Sequence, residues 1–256
     1  MAAVSSNPRE LIDVADGAVE RAFHAPALFL SASIPFSKPA ADLDHDAARI
    51  AKNAEHVRTA RPDRIRDAIV HLCDAAFARG YQLVFGGHPA ISPLVLDAAR
   101  AHASNVARAD AAAHPAVIVF QSMYFEAAIG DATRRFADWS HGLLVWTASS
   151  PASNGHSARE ASLLHMRTRM TAANELQAAI FIGGMDGVLD EAALFRGAQP
   201  TRPCYALGST GAAAEELLDT SPGQYCGRGL PPELLQARGS YPLLYKRIFD
   251  DIEATS

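Results

Sequence analysis

Residues 180–195, "IFIGGMDGVLDEAALF", join an apolar run, a glycine-containing turn and a helical pattern. An apolar run of this kind is typical of a strand that is covered on both faces, and glycines permit a sharp turn into a helix. Strand, turn and helix in this order form the repeating unit of α/β folds. Ligands of such folds bind beyond the carboxyl ends of the strands, so this turn is the first place to look for a site.

The same unit recurs along the chain. Apolar, β-rich runs alternate with helical patterns, which predicts an α/β fold with a doubly wound, mainly parallel sheet and helices on both faces. The runs are ALFLSASIP, YQLVFGGHP, AVIVFQSMYF, GLLVWTAS, AAIFIGGMDG and RPCYALGST. Helices are predicted over residues 62–79, 92–103, 157–176, 188–198 and 211–218, and in the final amphipathic segment SYPLLYKRIFDDIEA, which is a packing element or part of a subunit contact.

Length and composition indicate the domain organisation. A chain of 256 residues that is 49% hydrophobic can bury one large core. We expect an N-terminal extension over residues 1–26 and a single domain over residues 27–256. The polar, proline-flanked segment 36–63 is either a loop or a helical excursion. The Ser/Pro/Gly-rich segment 149–157 is expected to be a flexible loop and a candidate lid.

Several classes of function are disfavoured by the sequence. A net charge of -5, without a basic run, argues against a nucleic-acid partner. No apolar run approaches the ~18 residues of a membrane span, and three cysteines without metal spacing fit a reducing compartment, so we expect a cytoplasmic protein with no membrane contact. The ten histidines are scattered, so neither a metal nor a cofactor is expected. The sequence also lacks the GxxxxGK[ST], GxGxxG, GxSxG and HExxH motifs.

Four turns are candidates for ligand binding because each follows an apolar run and contains glycine, serine or threonine. They are SASIP at 31–35, FGGHPAIS at 85–92, IGGMDG at 182–187 and LGSTGAAA at 207–214. Backbone N–H groups at such turns can hold an anion. Each turn also has an ordinary structural explanation: Ser209 or Thr210 can simply cap a helix, and the proline after His88 can simply fix a helix entry.

Helical periodicity places one carboxylate of the segment on its apolar face. Glu191 lies three residues after Val188 and three and four before Leu194 and Phe195. A lone carboxylate there is costly, which suggests either a structural ion pair or a polar cleft in which Glu191 contacts a sugar or acts as an acid or base. Asp190 lies at the start of the same helix, where its charge favours the helix dipole.

A similar argument places one arginine inward. Arg167 has Leu163 and Leu164 four and three residues before it and Met170 three after it. The arginine either snorkels to the surface or pairs structurally, or it holds a ligand anion in the same cleft as the glutamate.

Taken in order, these motifs resemble the SLOG superfamily, in particular the group with GGHPAI and IGGM(D/E)GV segments, from Leu28 to Ala214. SLOG proteins are Rossmann-like relatives of the LOG phosphoribohydrolases and of DprA. The resemblance implies a domain that binds nucleotides or nucleotide-derived signals, often in bacterial antiphage or conflict systems. LOG enzymes use an arginine in H-x-R-K and a glutamate in PGGxGTxxE, which correspond to Arg167 and Glu191 here. Thr168 replaces the lysine, Val188 replaces the threonine, and the glycine spacing is one residue longer.

The resemblance implies a set of site residues. If the protein is an enzyme, the catalytic residues are Arg167 and Glu191. The ligand-binding residues are Ser31, Ser33, Gly86, Gly87, His88, Arg167, Gly183, Gly184, Met185, Asp186, Gly187, Glu191, Ser209, Thr210 and Gly211.

Three functions remain open. The first is a sensor that binds a nucleotide derivative, such as an ADP-ribose-like or cyclic nucleotide, and acts through an effector partner protein or through self-association. The second is a LOG-like nucleoside 5'-monophosphate phosphoribohydrolase or nucleosidase that cleaves an N-glycosidic bond. The third is a scaffold whose pocket is empty. The resemblance also implies a homo-oligomer, with a dimer as the simplest form.

Overall fold

A computed structural model describes residues 10–13, 23–36, 47–105, 115–153 and 155–254. A seven-stranded sheet with strand order β1-β5-β4-β3-β2-β6-β7 forms the centre of the fold. The strands are β1 (Glu10–Asp13), β2 (Ala27–Ser33), β3 (Gln82–Phe85), β4 (Val117–Ser122), β5 (Gly142–Thr147), β6 (Leu176–Gly183) and β7 (Cys204–Ala206). The strands pair in parallel in β1·β5, β2·β3, β3·β4, β4·β5 and β6·β7. The predicted Rossmann-like α/β class is confirmed.

Helices connect the strands. They are α1 (Ala47–Thr59), α2 (Pro62–Phe77), α3 (Ser92–Asn105), α4 (Asp131–Arg134), α5 (Ala158–Thr171), α6 (Asp186–Ala198), α7 (Ala212–Thr220), α8 (Pro222–Tyr225), α9 (Pro232–Gln236) and α10 (Tyr241–Glu253). The segment 36–63, which the sequence left open as loop or helix, contains α1; its residues 37–46 lie outside the described part. α6 begins at Asp186, two residues earlier than predicted, so its first turn includes Asp186 and Gly187.

The segment 1–26, expected to be an extension, contributes the edge strand β1, which pairs with β5. Four residues, ELID, form this strand in a polar context, so its local pattern was too short to distinguish it from a loop. Residues 1–9 and 14–22 lie outside the described part of the chain.

Two compact units can be recognised. The first unit comprises residues 1–29 and 76–176, and the second unit comprises residues 30–75 and 177–256. In the first unit, β3, β4 and β5 are buried along their whole length. The division into an extension and one domain stays a prediction.

The second unit is built around β6, which is buried along most of its length, together with α2, α6, α7 and α10. α10 buries one face of six side chains, which confirms the predicted packing element: Tyr241, Leu244, Tyr245, Ile248, Phe249 and Ile252. The Tyr245 hydroxyl donates to the Ala68 carbonyl at 2.8 Å, so the polar end of this fully buried ring is satisfied. A role of α10 in a subunit contact stays a prediction.

Candidate functional site

The turn after β6 requires glycine for reasons of packing. Gly183 and Gly184 have φ angles of +57° and +90°, a conformation in which residues other than glycine are strained. A Cβ on Gly183 would overlap Ile65, and one on Gly184 would overlap Val188. Val188 is 4% exposed, so the valine at the position of the LOG threonine fills the inside of the turn. The close fit brings α6 directly against the end of β6.

The backbone N–H groups of this turn donate within the protein. Gly183 N–H donates to Thr210 Oγ1 at 2.8 Å and Gly184 N–H to the Ser33 carbonyl at 2.9 Å. Asp186 N–H donates to Asn53 Oδ1 at 3.2 Å, and Gly187 N–H to the Asp186 carboxylate at 2.9 Å. A phosphate could take these donors only by replacing the present acceptors, so phosphate binding by the glycines stays a prediction.

Met185 occupies the N-cap position of α6. Its backbone is extended, it makes no side-chain capping bond, and it is 7% exposed. The residue is thus buried where the strand turns into the helix, and its predicted ligand contact stays a prediction.

Glu191 faces the end of the neighbouring strand, as its periodicity predicts. Its Oε2 accepts a hydrogen bond of 2.5 Å from Ser31 Oγ, and Ser31 is only 1% exposed near the carboxyl end of β2. On the same helix Val188, Ala192 and Phe195 are buried. The carboxylate is therefore oriented by a hydroxyl on a rigid strand, which is the arrangement that a binding or catalytic carboxylate needs.

Two more carboxylates at the start of α6 hold an arginine from α1. Arg49 Nε lies 2.5 Å from Asp186 Oδ2, and its Nη2 lies 2.9 Å from Asp190 Oδ2. Although burial lowers it, the pKa of Arg49 ends above its ordinary value because the hydrogen bonds and charges of the two aspartates outweigh burial. Asp190 thus has an ionic partner in addition to its place at the helix dipole. The sequence prediction did not include Arg49 or Asn53.

The LGSTG turn after β7 is internally bonded. Ser209 and Thr210 are fully buried; Ser209 Oγ lies 3.1 Å from the Tyr241 hydroxyl, and Thr210 Oγ1 donates to the Leu207 carbonyl at 2.6 Å. Neither hydroxyl caps α7, because its N-cap is Gly211 and no side-chain capping bond forms. The capping explanation is therefore wrong, and a ligand contact of either hydroxyl, which would require these bonds to exchange, stays a prediction.

In the first unit, a buried polar network fixes the GGHP turn. Gln121 Nε2 donates to the Gly86 carbonyl at 2.8 Å, and Thr133 Oγ1 donates to the Gly87 carbonyl at 3.2 Å. Gly87 has a φ of +61°, and a Cβ there would come within 2.6 Å of the Gln121 amide. The turn is therefore rigid and presents His88 just before α3.

His88 has an electrostatic environment that disfavours its charged form. Burial lowers the pKa of the imidazole from its ordinary value to about 4. In addition, Nδ1 lies 3.2 Å from the Ala90 N–H, a donor that requires an unprotonated nitrogen. His88 therefore acts at neutral pH as an uncharged group, and its predicted ligand contact stays a prediction.

We expect the His88 imidazole to remain neutral at pH 5 and to titrate near pH 4. Because an unfolded histidine takes up its proton near pH ~6.5, the folded state loses stability as the pH falls from that value toward 4. NMR titration of the ring nitrogens and urea unfolding at pH 7 and pH 5 measure both effects. His88→Gln should flatten the pH dependence of stability. A ring that titrates near pH ~6.5 would contradict the burial argument.

Arg167 lies on α5 in the first unit and is partly buried. Met170 is fully buried as expected, but Leu164 is 44% exposed, so the expected apolar stripe around the arginine is only partly correct. The buried face of α5 instead includes Ala161 and Met166. The shared action of Arg167 and Glu191 on one ligand stays a prediction, as do their catalytic roles.

Two general features of the described residues bear on function. No helix among them is both long and apolar enough to cross a membrane. Within the same ranges, no group of three or more His, Cys, Asp or Glu side chains is arranged to hold a metal ion.

Comparison with known proteins identifies the family. The model of the SLOG cluster3 family matches residues 55–226, about two thirds of the chain. No curated protein matches the chain. The resemblance seen in the sequence is thus confirmed, and the chain belongs to the SLOG cluster3 family.

Proposed function

We propose that the protein binds a nucleotide derivative at the carboxyl ends of β2 and β6, within the second unit. The observation that carries this proposal is the hydrogen bond of 2.5 Å between Ser31 on β2 and Glu191 on α6. It places an oriented carboxylate beside the Gly183–Gly184 turn, whose second amide bonds to Ser33 at the end of β2.

The strand order supports this location. β2 has β3 on one side, followed by β4 and β5, whereas β6 and β7 lie on its other side. From β2 the chain adds β3, β4 and β5 on one side, and it then returns to add β6 and β7 on the other side of β2. The strand order thus switches between β2 and β6. In open α/β sheets the loops diverge at such a switch point and leave a crevice, which is where ligands bind.

Glu191 fits a ribose in this crevice. A carboxylate has about four acceptor positions, so a carboxylate that accepts from Ser31 can accept from further donors as well. Two neighbouring hydroxyls of a ribose can bond to one carboxylate, as they do in dinucleotide-binding folds. Family membership supports a nucleotide-derived ligand. Ser31 is then the positioning residue that holds the carboxylate for the sugar.

The second candidate function is N-glycosidic hydrolysis of a nucleoside 5'-monophosphate. It is favoured by the fixed orientation of Glu191, since an oriented carboxylate can stabilise the positive charge that develops on the anomeric carbon. In this case Glu191 is the catalytic residue within the second unit, and a catalytic role of Arg167 in the first unit stays a prediction. The buried Val188 in the turn argues against hydrolysis of a monophosphate and for binding alone, because valine provides no hydroxyl at the position where the LOG enzymes have a threonine.

The two functions are separated by incubating the purified protein with a nucleotide panel and identifying the products by mass spectrometry. The panel contains monophosphates, NAD, and linear and cyclic ADP-ribose. We expect an intact nucleotide to remain bound and to be released on denaturation. Release of free base by the wild-type protein would overturn the binding proposal in favour of hydrolysis.

Glu191→Gln should retain measurable ligand binding with a loss of roughly tenfold in affinity, because the amide keeps one acceptor oxygen but loses the charge-assisted hydrogen bonds to the sugar. Isothermal titration with the nucleotide retained from the panel measures this change. Glu233→Gln, an exposed position in the same unit, is the matched control. If the wild-type protein releases base and Glu191→Gln does not, Glu191 is catalytic and the alternative function is correct.

We propose that binding acts as a signal in bacterial antiphage defence, in the cytoplasm, through an effector partner and a homo-oligomer. Light scattering with and without the retained nucleotide tests the oligomer: a monomer under both conditions would contradict it.

A further inference from the structure

Helix α1 presents a polar face to helices α6 and α7 of the same unit. His56 is 2% exposed and is the most deeply buried side chain among the described residues 48–59 of α1, whereas Ile50 and Val57 are half-buried. Arg49, Asn53 and His56 follow one another at spacings of four and three, so they lie on one face of the helix. All three side chains of this polar face contact α6 or α7.

The C-terminal half of α1 is anchored to α7. His56 Nε2 lies 2.8 Å from Glu216 Oε2, and Lys52 Nζ lies 2.6 Å from Glu216 Oε1. Lys52 and His56 thus both contact the carboxylate of Glu216. The anchor fixes the direction of α1 and thereby holds Arg49 at the first turn of α6.

The position of Arg49 matters because the α6 turn is acidic. Asp186 and Asp190 both contact its guanidinium, so one positive charge faces two negative charges. The amides of Gly183, Gly184, Asp186 and Gly187 donate within the protein, and they offer a phosphate little without rearrangement. An anion brought to this turn would be repelled by the carboxylates, and the positive charge of Arg49 offsets part of that repulsion.

The guanidinium is also accessible and preoriented. Its side chain is 35% exposed, and Nε and Nη2 are each directed by a separate carboxylate. A planar guanidinium held in this way is suited to phosphate, which it can contact through more than one N–H group.

We propose that Arg49 is the specificity-determining residue that admits a phosphorylated ligand at this site and distinguishes a nucleotide from its nucleoside. This inference rests on the proposed function and adds to it the residue that recognises phosphate. Arg49 lies outside residues 55–226, so the family match does not extend to it. Asp186 is then the positioning residue for the guanidinium, whereas the charge of the more exposed Asp190 opposes an approaching anion.

The test compares the affinities of AMP, ADP-ribose and adenosine by isothermal titration. Arg49→Ala should weaken AMP and ADP-ribose by about tenfold or more and change adenosine by less than about twofold, because only the phosphorylated ligands lose a charge partner. Arg58→Ala is the matched control, since Arg58 is on the same helix and pairs with Glu55 at the surface. The control should leave all three affinities unchanged.

Two further variants keep the test valid if Arg49→Ala disturbs folding. Arg49→Lys retains the charge without the fork and should weaken AMP less than Arg49→Ala does. Asp190→Asn removes a partly exposed negative charge and should raise the affinity for AMP relative to adenosine. A purely structural ion pair would not change the ratio of the two affinities in opposite directions.

Each outcome has a distinct meaning. If Arg49→Ala weakens AMP and adenosine equally, Arg49 does not recognise phosphate and this inference is wrong, while the binding site stands. If the wild-type protein binds none of the three probes or the wider panel, the proposed function fails and the inference fails with it.

Discussion

Gly211→Ala is expected to lower the free energy of unfolding by roughly 3–5 kcal/mol. Gly211 has a φ of +75° at the start of α7, a conformation that alanine rarely adopts. An added Cβ would overlap the backbone carbonyl of Thr59 at the end of α1. Because a backbone oxygen cannot rotate away as a side chain can, either α1 or the turn must move. Urea unfolding followed by circular dichroism measures the loss.

Gly223→Ala is the matched control for this change. Gly223 lies in α8 of the same unit, and a Cβ there would meet no atom within 4 Å. We expect its effect to be within about 0.5 kcal/mol of zero. If Gly211→Ala were as stable as Gly223→Ala, the close approach of the α1 end to this turn would be wrong.

Thr210→Val should lower the free energy of unfolding by about 2 kcal/mol. The hydroxyl accepts from Gly183 N–H at 2.8 Å and donates to the Leu207 carbonyl at 2.6 Å, and the side chain is fully buried. Valine has nearly the same shape, so the change isolates the hydrogen bonds and leaves the Gly183 N–H without its acceptor. The substitution should also weaken nucleotide binding, because the β6 turn would lose its connection to the LGSTG turn.

Thr220→Val provides the comparison. The Thr220 hydroxyl donates to the Glu216 carbonyl within α7 at an exposed position, where water can replace the bond. We expect a change below about 0.5 kcal/mol. Equal stabilities of the two valine variants would show that the Thr210 bonds contribute nothing beyond those of an exposed hydroxyl.

The strands and most helices were predictable because their signals are local. Near-continuous apolar runs mark strands that are covered on both faces, and β2 through β7 all lie within such runs. The inward direction of Glu191 was predictable for the same reason, since helical periodicity depends only on neighbouring residues. β1 was missed because four residues carry too little periodicity.

The partners of the site residues were not predictable, because they come from distant parts of the chain. Arg49 and Asn53 reach the α6 turn across more than a hundred residues of sequence, from a segment whose polar composition suggested a loop equally well. The one local sign was the spacing of Arg49, Asn53 and His56, which places polar groups on a single helical face. Similarly, the buried state of Ser209 and Thr210 depends on Tyr241 and Gly183, which no local pattern connects to them.

By itself, the sequence determined the α/β class, the order of most strands and helices, the glycine turns and the SLOG resemblance, because hydrophobic periodicity and turn chemistry act over a few residues. The tertiary structure alone decided the hydrogen-bond and ion-pair partners of the residues in these turns. It assigned the amides of Gly183 and Gly184 to internal acceptors, joined Ser31 to Glu191 and brought Arg49 to Asp186 and Asp190. The physical reason is that a hydrogen bond or ion pair depends on distance in space, which the chain establishes only when the sheet brings remote segments together.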